Sequence, residues 1–421
     1  MTLNKEVHIG GDSTTRTEQN DQQGQEHCIT FQNVLDAAAR IDGMAHKTPV
    51  LTSKSLDQLA SNRKLFFKVE AMQRTGSFKF RGALNATLSM MEDCQKQSTS
   101  SGGTTTSSGT STSICMSSVD NEEHNPGQER EIHVVTHSSG NHAAALALAA
   151  QIASSHSTTT TTTTTTTNHT VRATIVMPEN APTIKVNGVK GFGGNIVFTK
   201  STNEARETMA DQIVQEHQGS GAACSFIHPS ENEQVIAGQG TVCLEFVQQV
   251  RDSMGFVGGD LDAVIIPVGG GGLAAGNTIA LRGMLGDHVK IILAEPELMD
   301  DAKRSKEAGE LLGHDNGNEL NSVADGLRTT LGPNTWPIVR DLVDDIITVS
   351  EEDILRATKL VWERLKVCIE PSAGVGVAVA LGDEFATKYR VEDGFEKVGV
   401  ILCGGNVDVL KIAKLMQEKG L

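Results

Sequence analysis

Apolar positions along the chain follow two rhythms. Short, nearly continuous apolar runs occur at Leu65–Val69, Ile132–Thr136, Val171–Met177, Ile196–Thr199, Ala263–Val268, Lys290–Ala294, Ile346–Val349 and Val398–Cys403, the pattern of strands buried on both faces. Between them lie longer segments whose pattern predicts helices over Phe80–Met91, Ala143–Ile152, Asn203–Glu216, Val235–Val250, Gly272–Leu285, Glu351–Leu365 and Ala373–Phe385. Strands alternating with helices predict an α/β architecture with mostly parallel sheets, and a chain of 421 residues suits two sheets better than one. No internal repeat is visible.

Three stretches fall outside this rhythm. Residues 1–28 carry little to bury and are expected to be a disordered tail. Residues 96–130 are rich in Ser, Thr, Gly and charge, and 154–169 contain an unbroken threonine run from Thr158 to Thr167. Neither has an apolar face to offset its ordering entropy, so both are expected to be surface insertions. Asn168-His169-Thr170 fits a glycosylation sequon that would be idle in a cytosolic protein.

Charge and composition narrow the function. With 52 acidic and 36 basic residues the formal charge is −16, which argues against a duplex nucleic-acid binder but not against a local anion pocket. Seven scattered cysteines without a CxxC pair imply a reducing compartment. The N-terminus lacks an apolar h-region and is too acidic for a transit peptide, and no apolar stretch reaches bilayer-spanning length. A soluble cytoplasmic protein without membrane partners is expected.

The strand Asp262–Val268 runs into Gly269-Gly270-Gly271-Gly272 and then an apolar helix. Glycines there let backbone amides approach an anion, and the helix N-terminus favours negative charge, so a phosphate site is the physical reading. A tight turn needs fewer glycines. Which phosphate is open locally: Gly269, Gly271 and Ala274 mimic a dinucleotide fingerprint, and Glu295 ends the next strand where a ribose-binding acid would sit. An NAD-dependent oxidoreductase is therefore a rival on this segment alone.

Two further segments decide between them. Thr75-Gly-Ser-Phe-Lys79 places a lysine at a helix start beside aromatic residues, where burial would favour its neutral, nucleophilic form. Such a lysine is ordinarily a solvated surface residue. Thr136-His-Ser-Ser139-Gly-Asn141-His142, between a strand and a helix, forms a second loop suited to an anion. SFK, SSGNH, the tetraglycine turn and CGGN, in this order and at these separations, resemble the serine racemase and serine/threonine dehydratase family of fold-type II pyridoxal-phosphate enzymes. The resemblance runs from about residue 30 to 410 and includes VIAGQGT (235–241), PVGGGG (267–272), NTWPI (334–338), DLVDDI (341–346), VWER (361–364), IEPSAGVGVA (369–378) and GGNVD (404–408).

The resemblance implies two open, twisted, mostly parallel sheets flanked by helices: a large cofactor-binding domain of residues 29–82 and 226–421, and a small one of 83–225. It implies racemisation of serine with accompanying elimination to pyruvate and ammonia. The alternative is a serine, threonine or 3-hydroxyaspartate dehydratase, and a non-catalytic cofactor-binding protein is disfavoured by intact Lys79 and Ser139. Lys79 would carry pyridoxal phosphate and act as base on one face of the substrate α-carbon, with Ser139 on the other. Phe78, Asn141, Gly269, Gly270, Gly271, Gly272, Leu273 and Cys403 would contact the cofactor. Ser138, Ser139, Asn141 and His142, with Arg206 and Thr329, would take the substrate carboxylate.

Cys403 stands where the racemases usually carry serine, opposite the pyridine nitrogen. Some serine dehydratases have cysteine there. Either group is too weak an acid to keep that nitrogen protonated, and a neutral ring is a poorer electron sink, which disfavours transamination. Glu295, the Met299 carbonyl and Asp301 resemble a divalent-cation site for Mg, Ca or Mn. Ser53, Arg74, Thr75 and Asn406 match positions contacting ATP, an allosteric activator, at the family's dimer interface. Lys54 and Ser55 depart from that pattern, and arginine replaces lysine, which keeps the charge but not the geometry. A homodimer is expected from the family alone.

Overall fold

The structure is a computed structural model that describes residues 27–99, 130–138, 140–157, 169–181, 183–254, 260–314 and 321–421. Ten strands form among these residues: β1 (Val50–Leu51), β2 (Lys64–Val69), β3 (Arg130–His137), β4 (His169–Pro178), β5 (Asn195–Thr199), β6 (Ala223–Phe226), β7 (Ala263–Pro267), β8 (Lys290–Pro296), β9 (Asp345–Val349) and β10 (Lys397–Leu402). They build a six-stranded sheet ordered β1-β2-β10-β7-β8-β9 and a four-stranded sheet ordered β5-β4-β3-β6. Every pairing is parallel except β1 with β2. The chain leaves the larger sheet after β2, builds the whole smaller sheet, and returns at β7.

The central strands are buried along their length; all five residues of β7 are inaccessible. That burial on both faces is what the continuous apolar runs encode. The helix Pro371–Leu381 lies under β7, β8 and β10 and is buried on every side from Pro371 to Ala380. One predicted helix, Ala373–Phe385, is two: the first stops at Leu381, Gly382 takes an extended conformation, and a second runs from Asp383 to Lys388. His27 and Cys28, read as part of a disordered tail, are tied to the body through Asp341 and the Asn334 carbonyl. The two insertions are also shorter at their margins. The helix Lys79–Thr99 continues past residue 96, the helix Asn141–Ser157 past residue 154, and Arg130 and His169 are already strand residues. The rest of both insertions, and residues 1–26, lie outside the described residues.

Parallel pairing puts equivalent ends together. Leu402 of β10 sits beside Val69 of β2, and Val400 beside Ile265 of β7. The chain therefore departs from three neighbouring strands at one edge, toward residues 70–79, 268–272 and 403–406. This is where open α/β sheets bind ligands, in the crevice beyond the carboxyl ends of their strands. In the smaller sheet Arg130 pairs with His169 at the starting edge, while the 137–142 loop leaves from the opposite one.

The two largest hydrophobic cores follow the two sheets. Phe78 packs in the core of the larger sheet and Phe80 in that of the smaller, so Lys79 stands on the seam between them. Helices meet backbone to backbone nearby: a methyl group on Gly238 would come within 2.6 Å of Gly82 Cα. This close approach, absent any side chain, explains the glycines of the VIAGQGT helix.

Among the described residues no helix is long and apolar enough to cross a membrane.

Candidate active site

Lys79 opens the helix Lys79–Thr99. The loop before it is pinned at several points: Phe78 donates its N–H to the Cys403 carbonyl at 3.1 Å, Ser77 bridges to Gly404, and Asn406 Nδ2 donates to the Thr75 carbonyl at 2.7 Å. Gly76 has φ +74°, and a side chain there would collide with the Asn406 amide. The Lys79 amine donates to the Pro229 carbonyl at 2.7 Å and lies 5.2 Å from the centre of the Phe78 ring. Desolvation in the crevice lowers its pKa to about 8, against a smaller opposing effect of Cys403. A lysine so placed has far more neutral amine at physiological pH than one in water.

The glycine turn is a cradle with crowded walls. Gly271, at φ +79°, precedes the helix Gly272–Leu285. Gly270 donates its N–H to Thr329 Oγ1 at 3.0 Å. A methyl group on Gly270 would come within 2.7 Å of Ser230 Oγ, and one on Gly271 within 2.6 Å of Thr335 Cβ. Substituting either would push the flanking residues away from the helix terminus, where an anion is favoured. Leu273 follows within the buried first turn of that helix.

The loop after β3 supplies the third wall. Asn141 donates to both carboxylate oxygens of Glu370, at 3.0 and 3.3 Å, and accepts from Asn406 Nδ2 at 2.9 Å. Ser138 Oγ accepts from the Gly140 N–H at 3.3 Å. His142 Nε2 meets the Ile227 carbonyl at 3.2 Å, so this nitrogen carries the proton and Nδ1 is a bare acceptor. Burial, then the nearby Lys79, holds His142 well below its ordinary pKa. Cys403 follows β10, buried, and desolvation raises its thiol pKa far above normal, so it stays protonated.

Glu370 was not singled out from the sequence. It is 4 % exposed, and its carboxyl is pushed up to about 7 by burial first and by Asp325 second. The available signal was an acid immediately before Pro371, at the head of an apolar helix. An acid in that position is a capping residue in most helices, which hid its part in the site.

Other expected residues are less gathered. Arg206, on the helix Asn203–Gly219, bonds back to Asn203 and to the Thr202 carbonyl, with its charge felt at His137. The Ser53 hydroxyl meets Ser55 at 3.1 Å, and Arg74 bonds the Met44 carbonyl. Thr75 and Asn406 do come together, and beside Asn141. Ser139 lies outside the described residues.

Glu295 is 1 % exposed and accepts the Ala302 and Lys303 N–H groups at 2.8 and 3.0 Å. It caps the helix Asp301–Ala308 from inside. Asp301 accepts the Leu331 N–H at 3.0 Å and faces His314 at 3.5 Å. Burial, reinforced by Asp301, raises the Glu295 carboxyl pKa. Met299 is buried beside them in sequence. Two neighbouring buried carboxylates offer oxygen donors of the type a hard cation takes; three or more His, Cys, Asp or Glu side chains do not converge on a metal position among the described residues.

The crevice meets the needs of pyridoxal phosphate: a lysine amine of lowered pKa, a helix N-terminus behind a cradle that side chains would fill, and the buried polar atoms Ser77 Oγ and His142 Nδ1, without hydrogen-bonding partners among the described residues.

Comparison with known proteins agrees. The family described as pyridoxal-phosphate dependent enzyme matches residues 41–404. The serine racemase of Dictyostelium discoideum is 39% identical over 388 residues, covering 92% of this chain and 98% of its own. The structure of maize serine racemase superposes with a TM-score of 0.72 at 36% identity, covering 93% and 98% of the two chains. A threonine deaminase structure, from T.th., gives 0.67 at 34%, covering 90% and 99%. A match of this extent, on residues that build one crevice, establishes that the chain belongs to the pyridoxal-phosphate-dependent enzymes, in their fold-type II branch.

Proposed function

We propose that the chain is a pyridoxal-phosphate-dependent racemase of serine that also eliminates serine to pyruvate and ammonia. The observation that carries this reading is the Lys79 amine, held by Pro229 at the seam between the two sheets with its pKa lowered to about 8, in a chain similar to serine racemases along nearly its whole length.

When bound, pyridoxal phosphate supplies an electron sink that makes the substrate α-proton acidic. The chain's own residues do the rest. Lys79 would hold the cofactor through its amine and, once the substrate amine has displaced it, would move the α-proton on one face of the substrate. Ser139 delivers a proton on the other face, which inverts the centre. Gly269 to Gly272 would hold the phosphate, Phe78 and Leu273 would flank the cofactor, and Asn141, fixed by Glu370 and Asn406, would orient the ring. Cys403, neutral because it is buried, would meet the ring nitrogen without charging it. Ser138, Ser139 and Thr329 would receive the substrate carboxylate, with Asn141 and His142 adding the backbone N–H groups that open their helix, and the resemblance adds Arg206. The same proton abstraction serves elimination, in which the β-hydroxyl leaves instead of the α-carbon being reprotonated.

To the same reading belong a divalent cation on Glu295, Asp301 and the Met299 carbonyl, ATP activation through Ser53, Arg74, Thr75 and Asn406, a homodimer, a cytoplasmic location, and the division into domains 29–82 with 226–421 and 83–225. A second reading, dehydratase action on serine, threonine or 3-hydroxyaspartate without racemisation, is favoured by Cys403 and by the similarity to threonine deaminase.

Borohydride reduction followed by peptide mapping should place a pyridoxyl group on Lys79. Chiral chromatography of L-serine incubated with the enzyme should show D-serine alongside pyruvate. Release of pyruvate, 2-oxobutyrate or oxaloacetate without any D-serine would replace the first reading with the second.

A further inference from the structure

His228 follows β6 and Ile227, and its ring makes an unusual commitment. Nδ1 lies 3.2 Å from the Ser230 nitrogen and 2.9 Å from the Glu231 nitrogen. Both partners are backbone N–H donors, so Nδ1 acts only as an acceptor and the ring proton resides on Nε2. One imidazole nitrogen thereby closes the turn from 228 to 231. The ring itself is wedged edge-to-face against His137 and Phe226, with centroids 5.8 and 6.0 Å away.

That turn touches both halves of the site. The Pro229 carbonyl receives the Lys79 amine at 2.7 Å. Ser230 packs against the cradle, where methyl groups on Gly270 or Gly272 would come within 2.7 Å of its Oγ or 3.0 Å of its Cα. Glu231 accepts the Asn334 N–H at 2.7 Å and the Thr335 hydroxyl at 2.9 Å, and Thr335 is the residue that backs Gly271. Four consecutive residues thus set the spacing between the lysine amine and the anion cradle.

We infer that His228 is a positioning residue, whose Nδ1 shapes the 228–231 turn and so stations the Lys79 amine opposite the glycine cradle. This deepens the function proposed above and rests on its reading of Lys79 as the cofactor lysine.

Asparagine can place its side-chain oxygen where Nδ1 lies and bond the amides two and three residues on, as in an Asx-turn. Glutamine reaches too far, and alanine offers no acceptor. The test compares His228→Asn, His228→Gln and His228→Ala by amide hydrogen exchange at Ser230 and Glu231 in the cofactor-free protein, then by titration with pyridoxal phosphate followed at the Schiff-base absorbance. The asparagine variant should keep both amides protected and bind the cofactor within about threefold of the parent. The other two should lose protection and bind roughly tenfold or more weakly, as expected for two lost hydrogen bonds. Equal binding by all three variants, whether strong or weak, would overturn the inference. The parent offers a check that needs no variant: nitrogen-15 NMR of labelled histidine should show His228 with its proton on Nε2, and a proton on Nδ1 would refute the proposal. Failure of the functional reading shows separately, as absence of a pyridoxyl group on Lys79 in the parent.

Discussion

Replacing Arg81 with methionine would strip the guanidinium from a closed ionic cluster beneath the Lys79 helix. Arg81 is 2% exposed and spends all three nitrogens. Nε and Nη2 reach the two Glu70 oxygens at 2.8 Å each, Nη1 reaches Glu245 at 3.2 Å and Thr241 at 3.4 Å, and Nη2 also meets the His46 carbonyl at 3.3 Å. Glu70 is wholly buried, with the Thr48 hydroxyl at 2.6 Å as its other hydrogen-bonding partner and the charge of Lys68 nearby. Removing one member of a buried pair costs about 3–5 kcal/mol, mostly from the charge left behind. Thermal unfolding of the cofactor-free protein, where no ligand contributes, should show that loss at pH 7.

The same experiment carries a pH signature. In the parent, burial pushes the Glu70 carboxyl up, but the charge and hydrogen bonds of Arg81, with Lys68 and Thr48, outweigh it and hold the pKa below normal. Glu70 therefore stabilises the parent above its unfolded pKa, and that contribution fades as pH falls through the depressed folded value. In Arg81→Met burial wins and the folded pKa rises above the unfolded one, so the penalty is greatest above the folded value and shrinks on acidification. The gap between parent and variant should narrow from pH 7 to pH 5. Adding Glu70→Gln should recover at least half of the loss by removing the stranded charge. A double variant no more stable than Arg81→Met, or a gap that widens on acidification, would refute the argument.

Three other outcomes follow from the site. Lys79 in the cofactor-free enzyme should react with an amine reagent with a midpoint near pH 8; because its folded pKa is depressed, folding stability should rise between that value and the unfolded pKa of about 10.4, and a midpoint above pH 10 would contradict the desolvated placement. Ser139→Ala should abolish racemisation while sparing elimination of L-serine, read by chiral chromatography beside pyruvate release; normal racemisation would exclude the two-base assignment. Chelation of divalent cations should lower the melting temperature of the parent and leave Asp301→Asn indifferent; an equal response in both would remove the cation from Glu295 and Asp301.

Much of this architecture is written locally. The apolar runs at 65–69, 263–268 and 398–403 are strands within a residue or so of their predicted ends, and the glycine helix starts and stops where expected. What escaped lacks local signal. β6 reads Ala-Cys-Ser-Phe, without a β-branched residue, and becomes a strand because β3 offers it a partner. The helix Thr183–Gly191 contains two glycines and two valines and owes its form to packing on the helix before it. In the site, Lys79, the glycines and Asn141 were legible because they sit in motifs. Glu370, His228 and Pro229 were not, because their partners lie 229 residues away for Glu370 and 150 for Pro229, and for His228 the signal is the protonation state of one nitrogen.

The register of the smaller sheet has a practical bearing. Arg130 and His169 face each other where β3 and β4 begin, so the two polar stretches rejoin the fold side by side, whereas the reactive loop emerges at the far end of β3, eight residues on and therefore roughly 25 Å away. A change of chain length at that edge should leave the crevice end of the sheet in place, which makes residues 100–129 and 158–168 natural places to graft a reporter.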